Sequence, residues 1–175
     1  TVVGAIASGE VAYGNAAAEP FAFLNAFSLY IGALAVVFCA YTAAIFLTGD
    51  ATRMGEGEIA AAFRMRALAS GALAGLMALG GLLMAGALAE CLYEGLTSGV
   101  GLLCVLVSAL AGVLTLVLIA RNVALWPRFT AGAAVAAVVA GWGFAQSPFL
   151  FPPGGSGSTL TLDAAAAPSV TLWSL

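Results

Sequence analysis

Histidine and lysine are both missing from this 175-residue chain, and charged residues of any kind make up only 7% of it. Without histidine the chain lacks the commonest general base, the commonest metal ligand and the usual axial ligand of haem. A water-soluble domain devotes roughly 25% of its residues to charge. With 63% hydrophobic residues and a mean hydropathy of +1.11, this chain belongs in a membrane instead. A net charge of −3, with arginine as its only cation, gives nucleic-acid binding no electrostatic basis. The three cysteines, Cys39, Cys91 and Cys104, match no zinc or CxxC spacing and read as small apolar residues in packed helices. Cys91 and Cys104 fall near one membrane face, which leaves a disulfide between them open.

What is present in quantity is long apolar runs. A helix crosses a hydrocarbon core of about 30 Å with roughly 20 residues, and only helices or closed barrels satisfy their backbone there. Four runs qualify as helical spans: residues 24–47, 67–89, 100–120 and the shorter, alanine-rich 129–146. None has a charge at its middle. The predicted fold is an all-α polytopic bundle of four transmembrane helices, forming one transmembrane domain over residues 1–175. Residues 1–8 read as the end of a preceding span and "LDAAAAPSVTLWSL" as a loop entering a following one, so the chain is expected to be a piece of a longer protein.

The arginines set the orientation. Arg53, Arg64 and Arg66 fall between the first and second spans, and Arg121 and Arg128 between the third and fourth. The positive-inside rule then places loops 48–66 and 121–129 in the cytoplasm and loops 10–23, 90–99 and 147–163 outside. Phe21, Phe23, Phe27, Tyr30, Tyr93 and Trp142 are expected in an outer aromatic belt, with Trp126 at the inner face. In "GEGEIAAAFRMRAL", Glu56 and Glu58 suit a helix start, so the second helix is expected to begin ahead of its membrane span.

Few residues suggest chemistry. Glu90 and Glu94 lie four apart and so share a helix face, suiting either a solvated helix end or a proton or cation contact. Asp50 and Glu10 read as loop residues. Gly71 and Gly75 form a GxxxG pair for close helix approach. Ser108 and Thr115, and Cys39, Tyr41 and Thr42, are expected to bond within or between helices, and Met65, Met77 and Met84 to fill space. The glycine–serine stretch near Gly154 lacks the lysine of a phosphate loop.

The segments "NAFSLYIGALAVVFCAYTAAIFLTGDA", "FRMRALASG", "GWGFAQSPFLFPP" and "LTLDAAAAPSVTL" occur in that order. Together they resemble the C-terminal half of subunit II of cytochrome bd-type quinol oxidases, the stretch around Trp142 most specifically. The resemblance implies a subunit of an enzyme that oxidises membrane quinol and reduces dioxygen to water in a bacterial cytoplasmic membrane. The b- and d-type haems would reside in a partner, subunit I, and this chain would bind no cofactor or metal and supply no catalytic residue. Its other contacts would be membrane lipid and the quinone pool. Within the motif, Gly141 and Gly143 would let Trp142 meet a close neighbour, Gln146 would pair at the helix exit, and Pro148 would stop the helix. Trp142, Gln146 and Pro148 are therefore candidate subunit-interface or helix-exit residues. The alternatives are a fragment of a secondary transporter, disfavoured by the lack of a buried charge, and a non-catalytic membrane scaffold.

Overall fold

The computed structural model describes residues 2–8, 24–151 and 160–166. The short helix α1 (Val2–Ala7) precedes α2 (Ala26–Arg53), α3 (Gly57–Leu88), α4 (Glu90–Thr97), α5 (Gly99–Ala120) and α6 (Trp126–Gln146). A small two-stranded ladder, β1 (Phe149–Phe151) with β2 (Leu160–Thr161), and one turn of helix, α7 (Leu162–Ala165), follow. Helices α2, α3, α5 and α6 are the ones long and apolar enough to cross a membrane, as expected.

Local chemistry explains most of the boundaries. Asn25 caps α2 by accepting the Ser28 N–H at 2.6 Å, and its own amide donates to Ser8 Oγ at 3.2 Å, tying α1 to the start of α2. Gly55, at φ +77, makes the reversal between α2 and α3, and Asn122, at φ +60, does so between α5 and α6. Both residue types tolerate that left-handed conformation. Glu58 occupies the first turn of α3, which begins ten residues ahead of the predicted span. Pro127 stands at the start of α6, where its missing N–H costs nothing.

The helices form two antiparallel pairs, α2 with α3 and α5 with α6. In the first, Tyr30 meets Gly80 and Gly81 while Tyr41 meets Gly71; in the second, Cys104 meets Gly141 while Thr115 meets Thr130. Both hairpin turns consequently lie at one end of the bundle, and all five arginines are there. The inward residues of α3 are Ala67, Gly71, Ala74, Gly81 and Ala85, and those of α6 are Pro127, Ala131, Ala134, Gly141 and Ala145. Each set repeats at spacings of four and three, a coiled-coil-like seam made of small residues.

Several expectations are corrected. The GxxxG reading holds at only one of its glycines: Gly71 lies against Tyr41 and Leu116, whereas Gly75 has nothing within 4 Å. Phe27 is buried at 2% exposure in a cluster with Ala7, Ala85, Ala89, Leu92 and Ala145, and does not belong to an interfacial belt. Tyr30 likewise turns inward, donating its hydroxyl to Met77 O at 2.7 Å. Glu90 and Glu94 belong to the separate helix α4, which follows a break at Ala89. Asp50 is helical, because α2 runs six residues past its predicted span. Phe21, Phe23, Glu10, the turn around Gly154 and the expected following span lie outside the described residues.

Candidate functional site

Three places in the bundle hold the polar and motif residues. At the end opposite the arginines, Trp142 is half-buried and packs on the Phe27–Ala85–Leu92 cluster of its own chain. Gly141 beneath it is buried against Cys104, where an added Cβ would come within 2.9 Å of that residue's Cβ. Gly143 has open space instead, so only the first of the two glycines serves the close approach. One turn beyond Trp142, Gln146 is half-buried at the last position of α6, and Pro148 is exposed after a cis Ser147–Pro148 peptide. Pro148 O accepts the Leu162 N–H at 2.9 Å, so the exit folds back on itself beside the ladder. Helix α4 closes this end: Gly95 lies so near Ala145 that a Cβ there would sit 2.5 Å from its carbonyl oxygen.

The second place is nearer the arginines, between the helix pairs. Thr115 is fully buried, with its Oγ1 at 2.7 Å from both Ala111 O and Thr130 Oγ1, and the side chain of Tyr41 interacts with it from α2. Thr130 in turn lies 3.3 Å from the carbonyls of Trp126 and Pro127. These hydroxyls return their protons to helix carbonyls or to one another, as Thr42 does to Phe38 O at 2.9 Å. They join α2, α5 and α6 and leave no nucleophile with an activating base.

The third place was not anticipated. Arg128, at the start of α6, reaches α2 and forms an ion pair with Asp50 at 2.5 Å. The same nitrogen donates to Phe46 O at 2.9 Å, and the guanidinium carbon lies 5.2 Å from the Phe46 ring centre. Arg128 is 14% exposed and Asp50 48%. Gly49 makes the seat possible, since a Cβ there would fall 2.6 Å from the guanidinium. The Nε of Arg128 is buried without a partner, so the fit is incomplete. One sequence signal did point here. A carboxylate in the last turn of a helix opposes the helix dipole and calls for a cation from elsewhere.

Among the described residues no three of Cys, Asp and Glu gather as a metal site, and Glu90 and Glu94 are both exposed. The cysteines are free thiols, with Cys39 exposed and Cys91 and Cys104 half-buried.

Over residues 1–175 the sequence matches the profile of the family described as cytochrome bd terminal oxidase subunit II. The chain belongs to that family. No curated protein and no solved structure matches it. Membership in a bd-oxidase subunit family makes the chain part of a respiratory quinol oxidase complex with a partner subunit, and agrees with the multi-pass architecture. Among the described residues of this subunit II member, the polar contacts of Tyr30, Thr115 and Arg128 join helix to helix, while Thr42, Thr48, Thr52 and Ser70 bond back within their own helices.

Proposed function

We propose that this chain is the haem-free membrane subunit of a quinol:oxygen oxidoreductase in an aerobic respiratory chain, packing against and stabilising a haem-bearing subunit I. The observation that carries this reading is how the bundle uses its interior polar groups. Thr115, Thr130 and Tyr30 hold helices together, and the one described ion pair, Arg128–Asp50, clamps two helix ends. Haem ligation finds no support in the donor set either. The 175 residues contain no histidine, and Met84 is packed against the Phe27 cluster. The secondary-transporter alternative is set aside by the family to which the chain belongs.

In this reading the arginine end faces the cytoplasm of a bacterial cell, as the positive-inside rule requires. Electron transfer and oxygen reduction, driven by the membrane quinol pool, proceed on the b- and d-type haems of the partner. This chain contributes a rigid wall to the complex. Trp142, Gln146 and Pro148 form its helix exit, fixed from within by Trp142, with Pro148 exposed for contact.

The test is to purify the tagged full-length protein from detergent-solubilised membranes and record a reduced-minus-oxidised spectrum. Bands of b- and d-type haem arriving with a larger partner are expected. A colourless, well-folded eluate would overturn the reading. Trp142→Ala is expected to lower the yield of complex while leaving quinol oxidation per haem unchanged; the reverse pattern would remove Trp142 from a structural role.

A further inference from the structure

Helix α1 lies on one face of α2 and runs against it. The Asn25 amide donates to Ser8 Oγ, while four residues before Ser8 the backbone at Gly4 meets Ser28 and Ile31, where an added Cβ would fall 2.8 Å from Ser28 Cα. A step back along α1 is a step forward along α2, so the two are antiparallel. The contact is made with small residues, since Gly4, Ala5 and Ala7 are all buried. Helix α1 is six residues long, and the face of α2 that it touches continues well past it.

On that face Ser28 is followed by Gly32, Ala35 and Cys39, at spacings of four, three and four that keep all of them on one side of the helix. Ser28 is fully buried, Gly32 is half-buried, and Ala35 and Cys39 are exposed. Two turns further on, Arg128 of α6 lies over Phe46 on the same side. Small residues at this spacing form the inward seams of α3 and α6, and both of those are covered by neighbouring helices. Positions that face outward are different in kind: Leu76 and Leu83 of α3 and Leu103 and Leu110 of α5 are 60% to 76% exposed. On α2 itself Val36, about a quarter-turn round from Ala35, is 68% exposed. The seam therefore carries the residues of a helix contact and not those of a lipid face. The Ser28 hydroxyl is an independent sign. It is buried with no partner, lacking even the bond to a preceding carbonyl that Thr48 and Thr52 make on the same helix. A buried hydroxyl left unbonded is destabilising, and a longer helix over this crossing would bring polar groups within its reach.

We propose that the seam of Ser28, Gly32, Ala35 and Cys39 is covered by the transmembrane helix of which α1 is the end, formed by the residues ahead of Thr1 in the full-length protein. Continuity selects this occupant. Helix α1 already holds the first position of the seam and, being antiparallel, leads along it. The distance from Ser28 to Cys39 is about 16 Å at 1.5 Å per residue, well inside the roughly 20 residues of a membrane span. Antiparallel pairing sets the positions about seven and eleven residues ahead of Gly4 opposite Ala35 and Cys39. The proposal is independent of the oxidase reading.

The experiment uses the full-length protein in native membranes and the thiol that the seam already carries. With Cys91→Ala and Cys104→Ala in place, single cysteines are placed one at a time over the two turns centred about eleven residues ahead of Gly4. Disulfide formation with Cys39 under mild oxidation is then read by mass spectrometry. Pairing is expected at one or two positions, a helical turn apart, at a level about tenfold above the positions between them. Cys39→Ala should abolish it. A second measurement does not depend on cross-linking. Ala35→Leu, on the seam, should lower the yield of folded protein about fivefold or more. Ala72→Leu, at an exposed position of α3, should leave that yield unchanged. No pairing with Cys39 in folded protein would overturn the proposal, whether lipid or a helix of another subunit lies there instead. So would pairing without a helical period, or equal yields for Ala35→Leu and Ala72→Leu.

Discussion

The two ends of the bundle are held together by different physics. Opposite the arginines, α1, α2, α3, α4 and α6 meet through Phe27, Ala85, Ala89, Leu92 and Ala145, with backbone against backbone at Gly95. At the arginine end, one guanidinium bridges α2 and α6, and a cavity remains beside it. The first end has no slack, since small residues already bring the helices to contact distance. The second keeps space because a charged side chain needs a polar seat that close packing would not give. Shape holds one end and a directed ionic contact the other.

This contrast can be broken most severely at Gly95. Gly95→Val would drive side-chain atoms into the Ala145 carbonyl and Cα, which are backbone atoms and cannot rotate away. A loss of about 3 kcal/mol or more is expected, read as a lower denaturing-detergent midpoint for helix unfolding. Phe27→Ala should cost about 3 kcal/mol at the same end by opening a cavity among alanines that cannot close it. At the other end, Arg128→Gln should cost about 2 kcal/mol, because Arg128 is mostly buried and anchors two acceptors on α2. Asp50→Asn should cost under about 1 kcal/mol, since the carboxylate is half exposed and Phe46 O still receives the guanidinium. If Asp50→Asn proved as damaging as Arg128→Gln, the pair would matter more than the seat. The smallest effects sharpen the seam on α3. Gly71→Ala should destabilise by about 1 kcal/mol through the Tyr41 ring, while Gly75→Ala should stabilise by up to about 1 kcal/mol through helix propensity. Equal signs for the two would mean that the seam is misplaced.

Much of this was readable beforehand, and the failures share one cause. The four spans, the gathering of arginines at one end, the early start of α3 at Glu58 and the back-bonding of helix hydroxyls all follow from composition and local chemistry. Phe27 and Tyr30 were expected in an interfacial belt because they fall near a helix end, but depth does not say which way a residue faces. The break that makes α4 a separate helix occurs at Ala89, with no proline or glycine at the break to announce it. The β1–β2 ladder was missed because its two strands are short and lie either side of the residues around Gly154. The small-residue seams of α3 and α6 were present in the sequence at spacings of four and three, hidden among many other alanines and glycines.

The sequence by itself determined that the chain crosses a membrane four times as helices, with its positive charge at one end. Those properties are local: a span must satisfy its own backbone in lipid, and an arginine keeps to the ends of the spans, out of the hydrocarbon middle. Only the tertiary structure decided which face of each helix turns inward. Helices apolar all round carry no amphipathic signal. In α3 the buried residues are alanine and glycine, while Leu73, Leu76, Leu79 and Leu83 point outward. Lipid solvates leucine as well as a protein interior does, so close approach selects the inward face, and which glycine meets which tyrosine, or which arginine meets Asp50, is settled only when the helices come together.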